Sequence, residues 1–174
     1  ALALAASGVG RRAWAASQPL RLASMEGLRR AEVQLGDQRC DFLTWEHLNW
    51  ECAAAEHRVE DQTGLQRSAA LRYAGEPRSL FHLATASGRS RRVRWKGVRL
   101  PARLSLTVAP ADYADLGGTL ELFVDGEPRG ELLLDAARLQ QWEVTLGAPR
   151  DGATLEFELR GSGAAVGVDA ELPR

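Results

Sequence analysis

The segment Asp151–Arg160 (DGATLEFELR) carries the clearest structural pattern in the chain. Apolar and polar residues alternate from Thr154 to Arg160, which is the period of a strand with one buried face and one face in water. Asp151-Gly152, just before this run, is a pair typical of turns. The segment therefore predicts an antiparallel strand that the chain enters from a tight turn.

Similar segments recur along the chain, with Gly, Asp or Pro between them. Thr119–Val124 runs into Asp125-Gly126, a favoured pair for a hairpin turn, and the chain returns as Arg129–Leu134. Strands and helices do not alternate in the way that a parallel sheet requires. The pattern predicts a mainly β protein, an antiparallel β-sandwich or jelly roll. Further strands are expected at residues 32–35, 80–83, 92–96, 104–108, 142–146 and 165–172.

Length and charge limit the classes of function. The chain has 174 residues, which fits one domain or one domain with an appendage. Its 22 Lys+Arg and 23 Asp+Glu give a formal net charge of -1, so no overall charge attracts nucleic acid or an anionic membrane. We therefore expect a folded domain without a nucleic-acid partner.

The first 31 residues differ from the rest. Ala1–Gly10 is apolar and Arg11-Arg12 follow it, the reverse of the order in a secretory signal. The run is also shorter than the roughly 20 residues of a transmembrane helix. Two interpretations stay open, an Ala-rich helix or the end of a longer hydrophobic segment upstream. We predict a helical or irregular lead-in or connector over 1–31, a β-sandwich domain over 32–174, and no transmembrane helix within the chain.

The strand order of the C-terminal half resembles that of a known superfamily. Leu104–Val108, Leu120–Gly126, Trp142, Leu155–Leu159 and Gly167–Leu172 follow one another as in the galactose-binding-like jelly-roll modules. The resemblance spans about residues 79–174 and is one of pattern, without a signature motif. It implies a non-catalytic accessory or carbohydrate-binding-type module of a larger cell-envelope or secreted protein.

Cys40 and Cys52 are the only cysteines, and the segment between them is rich in aromatic residues. Their spacing matches no common zinc motif, so a metal site that adds His47 and His57 is the less favoured alternative. A disulfide would contribute on the order of 3 kcal/mol in the chain-entropy model and would indicate an oxidising compartment. We therefore predict a disulfide and an extracytoplasmic location, the alternative being two buried thiols in a cytosolic domain.

The segment between the cysteines also holds a candidate ligand site. Trp45 and Trp50 offer flat rings, and His47 and Asn49 offer polar groups beside them. Sugars bind by placing an apolar face on aromatic rings while polar side chains hold their hydroxyls. We predict a glycan or another polar small ligand here. The alternative is that both Trp rings belong to the core.

A second candidate surface is the basic strand around Arg92, Arg94 and Lys96. Their spacing of two places these side chains on one face of a strand, with Val93 and Trp95 on the other. This strip could face a phosphate, a sulfate or another anion. The favoured alternative is that the three cations pair with carboxylates of neighbouring strands.

No catalytic constellation is recognisable, so we do not expect an enzyme or a cofactor. The chain has no Gly-x-Ser-x-Gly motif, and neither cysteine stands in a catalytic context. Structural Ca²⁺ held by Asp112, Asp115 or Asp169 stays open, although no calcium-loop pattern is present. The alternative function is a structural or interaction subunit of an envelope assembly, bound to a larger or membrane-anchored protein.

Overall fold

The computed structural model describes residues 18–42, 49–54, 57–65, 71–85 and 89–174. This part of the chain contains one short helix and seventeen strands, several of them only two residues long. The elements are β1 (Leu20–Arg21), α1 (Met25–Arg30), β2 (Ala31–Leu35), β3 (Gln38–Arg39), β4 (Asp41–Phe42), β5 (Asn49–Ala54), β6 (His57–Leu65), β7 (Arg72–Tyr73), β8 (Glu76–Pro77), β9 (Phe81–Ala84), β10 (Arg91–Leu100), β11 (Arg103–Pro110), β12 (Gly118–Val124), β13 (Glu127–Leu134), β14 (Gln140–Thr145), β15 (Arg150–Arg160), β16 (Ala165–Asp169) and β17 (Glu171–Leu172).

Two antiparallel sheets form the body of the protein. The six-stranded sheet has the order β13-β12-β15-β10-β2-β3, and the seven-stranded sheet has the order β14-β11-β16-β9-β6-β5-β4. From β9 to β12 and again from β13 to β16, each strand lies in the opposite sheet from the one before it. This repeated crossing is the winding of a jelly-roll-like sandwich. The antiparallel β-sandwich expected from the sequence is confirmed.

The alternating residues of the strands build the core between the sheets. In β15 the side chains of Leu155, Phe157 and Leu159 are fully buried, as the alternation predicts. Trp95 of β10 lies at the centre of the core with no exposed surface. Its ring makes edge contacts with Phe81 of the facing sheet and with Phe157 of its own sheet, at centroid distances of 5.1 and 6.0 Å.

Residues 18–31, the described part of the predicted lead-in, are built into the sandwich. β1 pairs with β17 through Leu20 and Leu172, and Leu22 and Leu28 are buried in the main core. Packing therefore continues through the boundary that was predicted at residue 31, while residues 1–17 lie outside the described residues. In the part of the chain that the structure describes, no helix is both long and apolar enough to cross a membrane.

Helix α1 is fixed by its cap and by one glycine. Ser24 caps the helix by accepting a hydrogen bond from the Gly27 amide at 3.0 Å. The indole N–H of Trp95 donates to the Gly27 carbonyl at 2.8 Å. A Cβ at position 27 would lie 2.3 Å from the Leu22 carbonyl oxygen and 2.4 Å from that of Arg21. Only glycine allows the helix to approach this closely.

The substitution Gly27→Ala should therefore loosen the docking of α1. The clashing atoms belong to the backbone and cannot rotate away, so we expect a loss of about 1–3 kcal/mol in the free energy of unfolding. Urea denaturation measures the loss, with Met25→Ala on the exposed side of the same helix as the control. Equal stability of Gly27→Ala and the wild type would show that the close approach is not required.

Candidate functional site

A buried histidine joins two tyrosines on the outer face of the seven-stranded sheet. In β9, Phe81 and Leu83 point into the main core, so His82 between them points to the opposite face. His82 Nδ1 is hydrogen-bonded to the Tyr73 hydroxyl at 2.8 Å, and His82 Nε2 to the Tyr113 hydroxyl at 2.8 Å. Both ring nitrogens are therefore satisfied by tyrosine hydroxyls.

The histidine is held in its neutral form. It has no exposed surface, and this burial lowers the pKa of His82 to about 4. Burial likewise raises the pKa of Tyr73, so its hydroxyl keeps its proton. A neutral imidazole has one donor and one acceptor nitrogen, so one tyrosine donates to His82 and the other accepts from it.

A small second core surrounds this histidine. The hairpin β7–β8 lies over the outer face of the sheet, and Tyr73 and Leu80 are buried there with Ala109, Ala111 and Ala165. Gly167 of β16 makes room for the hairpin, because a Cβ there would lie 2.7 Å from both the Tyr73 ring and the Leu80 side chain. The hairpin therefore covers the part of this face around His82 and Gly167.

The turn that carries Tyr113 is held by the backbone on two sides. The Asp112 amide donates to the Arg72 carbonyl at 3.0 Å, and the Gly75 amide donates to the Asp112 carboxylate at 3.0 Å. On the other side, the Asp115 amide donates to the Gly163 carbonyl at 3.1 Å. Tyr113 is thus fixed at its hydroxyl, and Asp112 and Asp115 on either side of it fix the turn.

Tyr113 nevertheless keeps 57% of its surface exposed. Asp112 and Asp115, its neighbours in the turn, are also exposed, and the Asp115 carboxylate has no hydrogen-bond or ion-pair partner among the described residues. A fixed apolar ring beside free acceptor oxygens suits a ligand with an apolar face and hydroxyl groups at its edge. We call this set, Tyr113 with Asp112 and Asp115, the tyrosine site.

The residues predicted between the cysteines belong only in part to the described residues. Trp45 and His47 lie outside the described residues, and of Asn49 the structure describes only its backbone position in β5. Trp50 is 3% exposed and its ring lies 5.8 Å from that of Phe81. A ring this deeply buried cannot stack on a ligand, so for Trp50 the core alternative is the correct one.

The basic strand is paired across the six-stranded sheet. Arg92 contacts Glu158 at 2.9 Å, Arg94 contacts Glu156 at 3.2 Å, and Lys96 contacts Glu32 at 2.9 Å. These carboxylates lie on β15 and β2, the two strands beside β10. The strip therefore matches the alternative of cross-strand ion pairs, and its cations do not form an open anion site.

The three aspartates considered for Ca²⁺ do not lie together. Asp169 accepts hydrogen bonds from the Arg21 guanidinium and from the Ala23 amide, the latter at 2.9 Å. Asp112 is bound to Gly75 in the turn described above. Among the residues that the structure describes, no group of three or more His, Cys, Asp or Glu side chains is arranged to hold a metal ion.

The tyrosine site could not be recognised in the sequence, because it depends on how strands that are distant in the chain pair with one another. Tyr113 and His82 are 31 positions apart, and neither stands in a recognisable motif. They meet because Gly167 of β16 pairs with His82 on one side and with Ala109 on the other. The one available signal was a tyrosine in the turn after Pro110, which alone indicates only an exposed loop residue.

Comparison with known proteins finds solved structures that are similar to this chain at low sequence identity. No family model matches the chain, and no curated protein matches it. It is similar to the structure of TmCBM61 in complex with beta-1,4-galactotriose, with 10% identity and a TM-score of 0.44 over 90% of this chain and 96% of that chain. It is also similar to the CBM51-2 and INT domains of Clostridium perfringens ZmpB, with 13% identity and a TM-score of 0.40 over 82% of this chain and 40% of that chain. At these values neither similarity says anything about the ligand or the site of this chain.

The ion pairs of Glu158 predict how stability changes with pH. Burial acts to raise the pKa of the Glu158 carboxyl, but hydrogen bonds from Arg160, Ser90 and Arg92 outweigh it and lower the pKa below 4.5. The carboxylate therefore stabilises the fold above pH 4.5, and this contribution is lost as the pH falls through the lowered value.

The substitution Glu158→Gln should cost about 1–3 kcal/mol of unfolding free energy at pH 7, because the arginines lose a buried acceptor charge. At pH 3 the difference in unfolding free energy between Glu158→Gln and the wild type, measured by urea denaturation, should be smaller, because the contribution of the carboxylate is then being lost. Glu143→Gln, at an exposed carboxylate of β14, removes the same charge as a control. A difference that stays constant from pH 7 to pH 3 would contradict this role of Glu158.

Proposed function

We propose that the protein is a non-catalytic carbohydrate-binding-type module and that the tyrosine site is where it holds its glycan. The observation that supports this most directly is the exposed ring of Tyr113, which a fully buried histidine fixes through a hydrogen bond of 2.8 Å. The bond satisfies Nε2 of the buried His82, and it also holds the exposed ring in one orientation, as a binding surface requires.

Fixing the ring before binding favours affinity. A free tyrosine side chain loses conformational entropy when a ligand orders it, and such ordering costs about 0.5–1.5 kcal/mol per side chain. Here the hydrogen bond to His82 and the backbone bonds of the turn have already ordered Tyr113. A sugar that stacks on the ring therefore meets a prepared surface.

The polar groups beside the ring suit sugar hydroxyls. The Asp115 carboxylate offers acceptor oxygens that no described residue occupies. The Arg72 guanidinium, half exposed, lies 3.9 Å from Asp112 and can offer donors. Hydroxyl groups both donate and accept, so a saccharide can use both kinds of partner, whereas a purely apolar ligand can use neither.

The groups with strongly shifted pKa values support a binding role rather than catalysis. Tyr73 and His82 are both buried and hydrogen-bond to each other. A general base would have to reach a substrate, and His82 has no exposed surface with which to do so. These groups act as an anchor for Tyr113.

The extracytoplasmic location is also a proposal, and it rests on the cysteines. β4 and β5 pair Asp41 with Glu51 and Phe42 with Trp50. Continuing this register by one residue places Cys40 opposite Cys52. The Cα atoms of opposite residues in antiparallel strands are about 4.5–5.5 Å apart, within the range that disulfides span. We propose that these cysteines are bonded and that the module serves a larger envelope or secreted protein.

Thiol titration tests the disulfide. The unfolded, unreduced protein should show no free thiol, and reductant should release two. The Cys40→Ser/Cys52→Ser double variant should lose about 2–4 kcal/mol of unfolding free energy, because its unfolded chain lacks a constraint. Its denaturation midpoint should therefore fall. Two free thiols without reductant, in protein prepared under oxidising conditions, would contradict both the bond and the argument for location.

Affinity electrophoresis through gels that contain neutral polysaccharides tests the binding proposal. We expect one of galactan, xylan and glucan to retard the wild type. Tyr113→Ala should weaken this binding about tenfold, which corresponds to about 1.4 kcal/mol of lost stacking. Tyr113→Phe keeps the ring but loses the bond to His82, so its affinity should lie between those of the wild type and Tyr113→Ala.

The matched control for the ring is Leu116→Ala, because Leu116 is 50% exposed on the same turn. It should bind as the wild type does. Trp45→Ala tests the predicted site between the cysteines in the same gels. Equal retardation of Tyr113→Ala and the wild type would exclude the tyrosine site, and loss in Trp45→Ala alone would move the site to the cysteine segment.

A further inference from the structure

We propose that a polar groove along β11 binds an acidic saccharide and that Arg103 recognises its carboxylate or sulfate group. The groove lies on the outer face of the seven-stranded sheet, and its lining includes no residue of the β7–β8 hairpin. The proposal rests on the proposed function only in that the ligand is a saccharide. Its residues are different from those of the tyrosine site.

The floor of the groove is lined by hydroxyl groups. Its volume is about 420 Å³, within the usual range of about 300–1,000 Å³ for ligand sites. Leu104 and Leu106 of β11 point into the core, so Ser105 and Thr107 point outward and form the floor. The charged residues of its lining are Arg21, Arg103, Asp169 and Glu171.

The neighbouring strand extends this polar surface. β14 pairs with β11 so that Gln141 lies opposite Thr107, Glu143 opposite Ser105 and Thr145 opposite Arg103. Thr107 and Gln141 already exchange hydrogen bonds, with the Gln141 amide 3.2 Å from the Thr107 hydroxyl. Hydroxyl and amide groups in a row can bind successive hydroxyls of a saccharide chain.

The charges at one end of the groove do not cancel. Arg21 donates to the Asp169 carboxylate and lies 4.0 Å from Glu171, so one guanidinium faces two carboxylates. The side chain of Glu171 is 65% exposed, where water screens its charge. This end of the groove therefore does not attract an anionic group, which leaves the end at Arg103 for the charge of the ligand.

Arg103 differs from Arg21 in this respect. It is exposed, and it has neither a hydrogen-bond partner nor an ion-pair partner among the described residues. Its neighbour across the strands is Thr145, and Ser105 follows it on the same face. Glu143, opposite Ser105, is an exposed carboxylate on the same face. The Arg103 guanidinium can bind a carboxylate or sulfate in a bidentate manner while the hydroxyls of Ser105 and Thr145 hold the rest of the sugar.

The experiment compares pairs of polymers that share a backbone and differ in charge. Affinity gels contain galactan or polygalacturonate, and dextran or dextran sulfate. We expect at least one acidic polymer to retard the wild type more strongly than its uncharged partner. The first pair reports on carboxylate and the second on sulfate. Added NaCl should weaken the retardation by the acidic polymer.

Variants of the groove assign this effect to Arg103. Arg103→Gln should weaken binding of the acidic polymer about tenfold and leave binding of neutral polymers unchanged. Arg103→Lys keeps the charge but loses the bidentate geometry, so its affinity for the acidic polymer should lie between those of the wild type and Arg103→Gln. Arg89→Gln makes the same charge change at an exposed residue before β10, in the other sheet, and should bind as the wild type does. Circular dichroism confirms that each variant is folded.

The outcomes separate this proposal from the proposed function. Neutral glycan binding that depends on Tyr113, without a preference for the acidic polymers, overturns only the groove proposal. Equal losses in Arg103→Gln and Arg89→Gln also overturn it, because they would show a general effect of charge. Acidic binding that depends on Arg103 but not on Tyr113 supports the groove. The tyrosine site is rejected only if binding of the neutral polymers is equal in Tyr113→Ala and the wild type.

Discussion

The buried ring of Trp95 is the contact on which the rest of the fold depends. It meets Phe81 of the facing sheet and Phe157 of its own sheet, so it fixes how the two sheets face each other. Its indole N–H, which would be costly to bury without a partner, donates to the Gly27 carbonyl and ties α1 to the core. A single side chain thereby links three parts of the chain that are distant in sequence.

The two outer faces of the sandwich differ. On the six-stranded sheet, arginines and glutamates of neighbouring strands neutralise one another, as in the pairs of Arg92 with Glu158 and Arg94 with Glu156. On the seven-stranded sheet, Gly167 leaves space into which Tyr73 and Leu80 fit, and a second small core forms there. The outer face of the six-stranded sheet carries cross-strand ion pairs, and that of the seven-stranded sheet is partly covered by the β7–β8 hairpin.

The parts of the structure that the sequence predicted well are those that depend on local pattern. Alternation placed strands correctly around Leu104, Leu120 and Leu155, because a period of two with one buried face leaves few other solutions. The tyrosine site could not be predicted in this way. It requires the register of β16 against both β9 and β11, which no local segment encodes. Trp50 shows the converse error, since composition indicated a ligand-binding ring where packing required a core residue.

The difference between the outer faces also locates where a ligand can bind with least cost. A ligand on the six-stranded face would have to displace ion pairs such as that of Glu158, whose side chain is 4% exposed and held by two arginines. Leaving such a buried charge unpaired costs more than a typical sugar hydrogen bond returns. The seven-stranded face presents the exposed ring of Tyr113, which is bonded to His82 through its hydroxyl, and the exposed guanidinium of Arg103. A ligand of this sandwich is therefore expected on the seven-stranded sheet, where binding does not have to break ion pairs such as that of Glu158.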